Sequence, residues 1–169
     1  MTDTRIRRPD DLSEVEFDVI EALWDEISLS SRPRRVLRAL QGPTDGQRAA
    51  FACTWYEREV SNGGHVQFFW NPAGILWPEA LEGFERLQAA EHVEILRRAV
   101  ARFGSNPPAR GHRNRVKQVR ALSGDLDDDD FGDEVFSDLD DAFYDLQKRS
   151  PTWSVFRRYI LDRPDEFFV

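Results

Sequence analysis

The chain contains one cysteine, Cys53, so an intramolecular disulfide is excluded, and none of its three histidines stands with cysteine at zinc-ligand spacing. It has no apolar run of membrane-spanning length. Arg5, Arg7 and Arg8 are followed by Pro9-Asp10-Asp11, where a signal peptide needs an apolar core. No stretch alternates apolar and polar residues long enough to argue a strand, and no repeat of fixed length is visible. These absences point to a cytoplasmic helical protein with no expected metal or cofactor. Its 169 residues, 40% of them hydrophobic and including twelve Phe and five Trp, suffice for one core of ordinary size.

What is present is helical periodicity. Residues 1–12 read as a basic, flexible tail and 13–169 as one domain. Ser13-Glu14-Val15-Glu16 fits a capping box, and Leu12, Val15, Val19, Ile20, Leu23, Trp24 and Ile27 follow on one face to about Ser28. Pro33 opens a short helix that Gly42-Pro43 stops. Thr44-Asp45-Gly46-Gln47 is a second capping box, opening a helix with Ala49, Ala52, Cys53, Tyr56 and Val60 inward. Trp77-Pro78 starts the next, with Ala80, Leu81, Phe84, Leu87 and Gln88 sharing a face. Ile95 to Phe103 repeats the stripe, and Gly104 closes it. Residues 109–121 are basic and weakly patterned, and 123–132 read as a loop. The spacing predicts a helix over 133–149, with Asp133 and Glu134 at its positive end, and another after Ser150-Pro151 carrying Trp153, Phe156, Tyr159 and Ile160. The expected fold is all-α, a single globular domain of seven to nine helices.

The stretch from Glu57 to Gly74 is distinctive. Asn62 and Gly63 are residue types that reach the left-handed conformation closing a helix, and Gly64 permits close backbone approach. Val66, Phe68, Phe69 and Trp70 then need burial. Gln67 and Asn71, four apart, either satisfy exposed backbone or line a small polar cleft, and backbone satisfaction is the commoner use. A helix restarting near Gly64 would present free N–H groups to an anion.

The pattern Asn62-Gly63-Gly64-x-x-Gln67-Phe68-Phe69-x-Asn71-x-x-Gly74 closely resembles the signature of the DNA-mimic protein nineteen-like family. Asp141-x-Phe143-Tyr144 and Tyr159-Ile160-x-x-x-Pro164-x-x-Phe167 resemble that family's closing segments, so the similarity spans roughly residues 13 to 168. The resemblance implies an all-α, cytoplasmic bacterial domain without known catalysis. Its studied member presents carboxylates in place of DNA phosphates to a helix-turn-helix transcription factor. This chain departs from the pattern at His65, where an aromatic such as Phe is expected, and at Pro72-Ala73, where small hydroxyl residues are usual.

The net charge of −8 is unevenly spread. Residues 96–120 hold eight Arg or Lys and no acid, while 125–145 hold eleven Asp or Glu and no base. On the expected 133–149 helix, Glu134, Asp138, Asp141 and Asp145 recur at spacings of four, three and four, forming one stripe. That is roughly one charge per 5 Å of helix, against roughly one per 3.4 Å along a DNA strand. Asp127, Asp128, Asp129 and Asp130 extend the patch. Three readings of these acids stand: a solvated face, a surface for a basic protein partner such as a helix-turn-helix transcription factor, or local pairing with Arg97, Arg98, Arg110, Arg113, Arg115, Lys117 and Arg120. Direct nucleic-acid binding by that basic run is not expected, given a pI near 4.9 and no interleaved aromatics. A homodimer stays open.

For catalysis, Cys53 with His65, His92 or His112 carries no known local signature, and Cys53 falls on an apolar stripe. Glu57, Glu59 and His65 at the corner are a further candidate group, though carboxylates two residues apart point to different sides of a helix. The leading expectation is therefore a non-enzymatic interaction domain. The alternatives are an interaction or immunity-type module using another surface, and an enzyme or ligand-binding protein using the Asn62-Gly63-Gly64 corner.

Overall fold

Helix follows helix in the computed structural model, which describes residues 4–24, 26–123 and 135–169. In order they are α1 (Val15–Trp24), α2 (Pro33–Ala39), α3 (Asp45–Trp70), α4 (Trp77–Arg86), α5 (Ala90–Ala101), α6 (His112–Ser123), α7 (Ser137–Arg149) and α8 (Thr152–Asp162). Short 3-10 turns at Pro72–Leu76 and Pro164–Glu166 redirect the chain after α3 and α8, each opening on a proline. Among the described residues there is no strand, only an isolated parallel bridge between Ile6 and Phe168. No helix there is long and apolar enough to cross a membrane.

Helix α3 is the axis: α1, α4, α6, α7 and α8 all pack against it. Its start is fixed by the capping box foreseen from sequence, since Thr44 Oγ1 accepts from Gln47 N–H and Gln47 Oε1 from Thr44 N–H. Ala49, Ala52, Cys53, Tyr56 and Val60 are buried as their spacing required. Around the Tyr56 ring stand His65, Phe68, Phe84 and Phe143 at 5.1–5.6 Å in edge-to-face geometry, the arrangement aromatic quadrupoles favour. Phe69, Phe103 and Phe136 continue this aromatic core toward α7.

Several expectations are corrected. Asn62-Gly63-Gly64 kinks α3 without ending it, and the helix resumes to Trp70. The left-handed residue is Gly64, at φ 72 and ψ −176, a region essentially restricted to glycine; Gly63, at φ −161, is merely extended. Residues 109–121, weakly patterned in sequence, mostly form α6. Their helix is tied down by Arg115, not by an apolar stripe, as described below. Helix α7 begins at Ser137 instead of 133, after a buried Phe136, and α1 ends at Trp24. Glu16, expected in a capping box, is buried and gripped at both carboxylate oxygens by Arg157 of α8. Gln88 is an exposed residue at φ 56 that closes α4, and Trp153 is exposed, leaving Val155 and Phe156 inward. Within the stretch 1–12 expected as a flexible tail, Ile6 exchanges backbone hydrogen bonds with Phe167 and Val169 at the other end of the sequence.

Two stability predictions follow from this packing. A Cβ on Gly64 would stand 2.4 Å from Asp140 Oδ2 in a backbone conformation that side chains avoid. A Cβ on Gly63 has the Gln67 side chain as its nearest neighbour, in a backbone conformation open to other residues. Gly64→Ala should therefore cost about 1–3 kcal/mol in urea unfolding and Gly63→Ala distinctly less. The second concerns His92, which is buried and stacked on Phe84 at 4.8 Å; desolvation lowers its pKa to about 4. Its folded pKa lies below the unfolded value near 6.5, so the unfolded chain binds the proton first and stability falls as pH drops from about 6.5 to 4. Comparing unfolding free energies of wild type and His92→Gln across that window should show roughly 3 kcal/mol less pH dependence in the variant.

Candidate functional site

At the kink, where Gly63 and Gly64 leave helical geometry, α7 supplies hydrogen-bond partners to the α3 backbone. In a continuous helix His65 N–H would donate to Ser61 and Val60 C=O would accept from Gly64. Here His65 N–H donates to Asp140 Oδ1 at 2.9 Å, and the Tyr144 hydroxyl donates to Val60 O at 3.0 Å. Asp140 and Tyr144 lie four residues apart, hence on one face of α7. The carboxylate also accepts from His65 Nδ1 at 2.5 Å, which leaves Nε2 to accept the Tyr56 hydroxyl proton at 2.8 Å. His65, where a family aromatic was expected, thus keeps an aromatic's place in the core while relaying a hydrogen bond from Tyr56 to Asp140. The anion site anticipated at this restarted helix is filled from within, by Asp140.

On the outer side, the bend folds α3's own polar residues onto one another. Gln67 Nε2 and Asn71 Nδ2 both donate to Glu59 Oε2 at 2.8 Å, and Asn62 Nδ2 donates to Gln67 Oε1 at 3.0 Å. In a straight helix residues 59 and 71 would be about 18 Å apart, so the kink creates this cluster. The amides serve a carboxylate in an open cleft of about 620 Å³, and not the backbone as the commoner expectation had it. Trp55, Glu57, Arg58 and Ser61 form the rest of its wall. Burial raises the Glu57 carboxyl above its usual range, with Arg58 pulling the other way. Glu57 and Glu59 share the cleft despite their two-residue spacing, while His65 faces the core and does not join them. Phe68 and Phe69 are buried beneath.

The exit from the motif depends on Arg115 of α6. Fully buried, it donates from Nε to Phe69 O at 2.8 Å, from Nη2 to Asn71 O at 2.9 Å, and from Nη1 to Ala109 O at 2.8 Å. A cation on the carbonyl end of α3 is the favourable dipole pairing. Desolvation, with Arg110 nearby, lowers its pKa to about 10. Gly74 makes room, since a Cβ there would come within 2.6 Å of Arg115 Nε. Sequence reasoning placed Arg115 in a surface basic run; nothing in its local pattern marked it as core.

The acidic stripe is differently disposed. Asp127, Asp128, Asp129, Asp130 and Glu134 lie outside the described residues. Asp138, Asp141 and Asp145 are exposed on α7. Asp138 pairs with Arg98 of α5 and with Arg102 just past its end, each at 2.9 Å, and Asp145 with Lys148 at 2.8 Å. Asp141 has no ion pair among the described residues. Of the basic run, Arg97 pairs with Glu85 and Arg110 bidentately with Glu79, while Arg120 lies over the Trp70 ring; Arg113 and Lys117 are exposed. The segregated charges therefore meet in part across α5 and α7.

The candidate pairing of Cys53 with a histidine is not found among the described residues. Cys53 is buried, with its thiol pushed well above its ordinary value, and none of the three histidines is bonded to it. No group of three or more His, Cys, Asp or Glu is placed there to hold a metal ion.

A protein-family model described as DMP19-like protein matches residues 42–163, from the turn before α3 to the end of α8. No curated protein and no solved structure matches the chain.

The pairing pattern makes the stripe residues unequal in a measurable way. Asp141→Asn should leave the melting temperature unchanged or slightly higher, because it relieves repulsion along α7. Asp138→Asn should lower it, because Arg98 and Arg102 are left facing each other; thermal melts at low salt check the order.

Proposed function

The chain belongs to the DMP19-like protein family, and we propose from that membership that it is a non-enzymatic interaction domain whose carboxylates stand in for DNA phosphates before a basic DNA-binding protein. The observation that carries this reading is the run of eleven acids and no base over residues 125–145, which continues onto α7 through exposed Asp141 and Asp145. Like charges held at one-turn spacing on a helix create a field that attracts a cationic protein face and speeds its association at low salt. Asp127, Asp128, Asp129, Asp130 and Glu134 add to that charge, and Asp138 belongs to it as a carboxylate already shared with two arginines. The partner class is a helix-turn-helix transcription factor or another protein with a DNA-binding face, met in the cytoplasm.

The test is capture from host lysate with wild type and with Glu134→Gln/Asp141→Asn/Asp145→Asn as bait, leaving Asp138 intact so that Arg98 and Arg102 keep their partner. A DNA-binding protein held at low salt, released by high salt and by duplex DNA, and missed by the variant is the expected result. A partner held equally by both baits, or indifferent to duplex DNA, moves the interface to another surface, and no partner at all counts against the reading.

A further inference from the structure

We propose that the cleft beside the α3 kink is a binding site for a guanidinium group, presented by an arginine of the protein partner, with Glu59 as its counter-ion. The proposal rests on the interaction reading above for the source of the arginine; the cleft's chemistry is argued from its own residues.

The charges that line the cleft set the sign of the ligand. Gln67 and Asn71 each commit one amide N–H to Glu59 Oε2, and Asn62 commits one to Gln67. The charged group left open is an acceptor, because Glu59 Oε1 has no hydrogen-bond partner and no Lys or Arg pairs with this carboxylate among the described residues. Two amides hold Glu59 in place before any ligand arrives, so little side-chain freedom is lost on binding. Glu57 adds a second carboxyl to the same wall, and Arg58, the one opposing charge, is turned onto the rings of Trp24 and Trp55 at 5.1 and 5.7 Å.

The shape favours a planar cation over a compact one. Trp55 lines the cleft, and indole faces attract guanidinium planes; Arg58 already uses them so. A guanidinium group therefore matches the open carboxylate oxygen and the aromatic wall together.

The experiment uses the full-length chain, labelled with nitrogen-15, titrated with N-acetyl-L-arginine amide, with N-acetyl-L-lysine amide, and with sodium chloride at matched ionic strength. The side-chain amide signals of Gln67 and Asn71 and the indole N–H of Trp55 should shift saturably with the arginine amide, more weakly with the lysine amide, and not with salt. Glu59→Gln, which keeps an acceptor for both amides, should weaken the arginine response by about tenfold or more, whereas Asp141→Asn/Asp145→Asn should leave it intact. No saturable shift in the wild type overturns the proposal even if Glu59→Gln fails to fold. So does an equal response to lysine or to salt, or an undiminished response in a folded Glu59→Gln. If a DNA-binding protein is captured through the stripe while arginine leaves the cleft untouched, this site falls and the acidic-face reading stands. A cleft that binds arginine amide where no partner is captured separates the two in the opposite direction.

Discussion

The partnered kink in α3 is the constraint on which the rest of the molecule depends. A helix that leaves helical geometry in its middle must find other partners for its backbone in a dry interior, and from one face of α7 Asp140 gives His65 N–H an acceptor and Tyr144 gives Val60 C=O a donor. That pairing fixes where α7 sits against α3. It also sets the direction in which Phe68, Phe69 and His65 enter the core, and hence the aromatic cluster centred on Tyr56. Gly64 is required twice over, for a backbone conformation closed to other residues and for the space that Asp140 occupies.

One bend serves two chemistries. Its inner side is a relay from Tyr56 through His65, both buried, to the partly exposed Asp140, explained by the packing it supports. Its outer side is a cleft in which Glu59, Gln67 and Asn71, distant along the chain, share one hydrogen-bonded cluster. The end of the same helix is held by Arg115, whose guanidinium takes the carbonyls left over where α3 gives way to the 3-10 turn. A single motif of about eighteen residues thus requires partners from α6 and α7, which is why it organises the whole domain.

The electrostatics are mixed where the sequence reads as segregated. Basic residues of α5 reach acids of α4 and α7, and Arg110 and Arg157 are spent on Glu79 and Glu16. The exposed pairs among them, Arg97 with Glu85 and Arg98 with Asp138, add little stability. They do lower the density of unpaired charge on α7 near Asp138, so the unneutralised part of the acidic face is Asp141 with whatever the 125–134 segment adds. Membership of the DMP19-like family fits a protein that acts by presenting charge, and the interaction reading builds on that membership together with this residual acidity.

The sequence by itself determined the all-α class, the capping box at Thr44, the buried stripe of α3 and the aromatic core, because capping and helical periodicity are local properties written at fixed spacings. It also marked Asn62 to Gly74 as the central motif and carried the family resemblance. Only the tertiary structure decided what that motif does. The kink is extended by a second helical segment whose stability comes from Asp140 and Tyr144, about eighty residues away, and no local pattern announces such partners. The same holds for Arg115, whose burial is tolerable only because carbonyls from α3 and the 108–110 loop converge on it, and for Glu16, whose charge is buried against Arg157. Polar residues read from sequence as solvated or as backbone caps acquire their roles from partners far along the chain, since hydrogen bonds are satisfied in space and not in order.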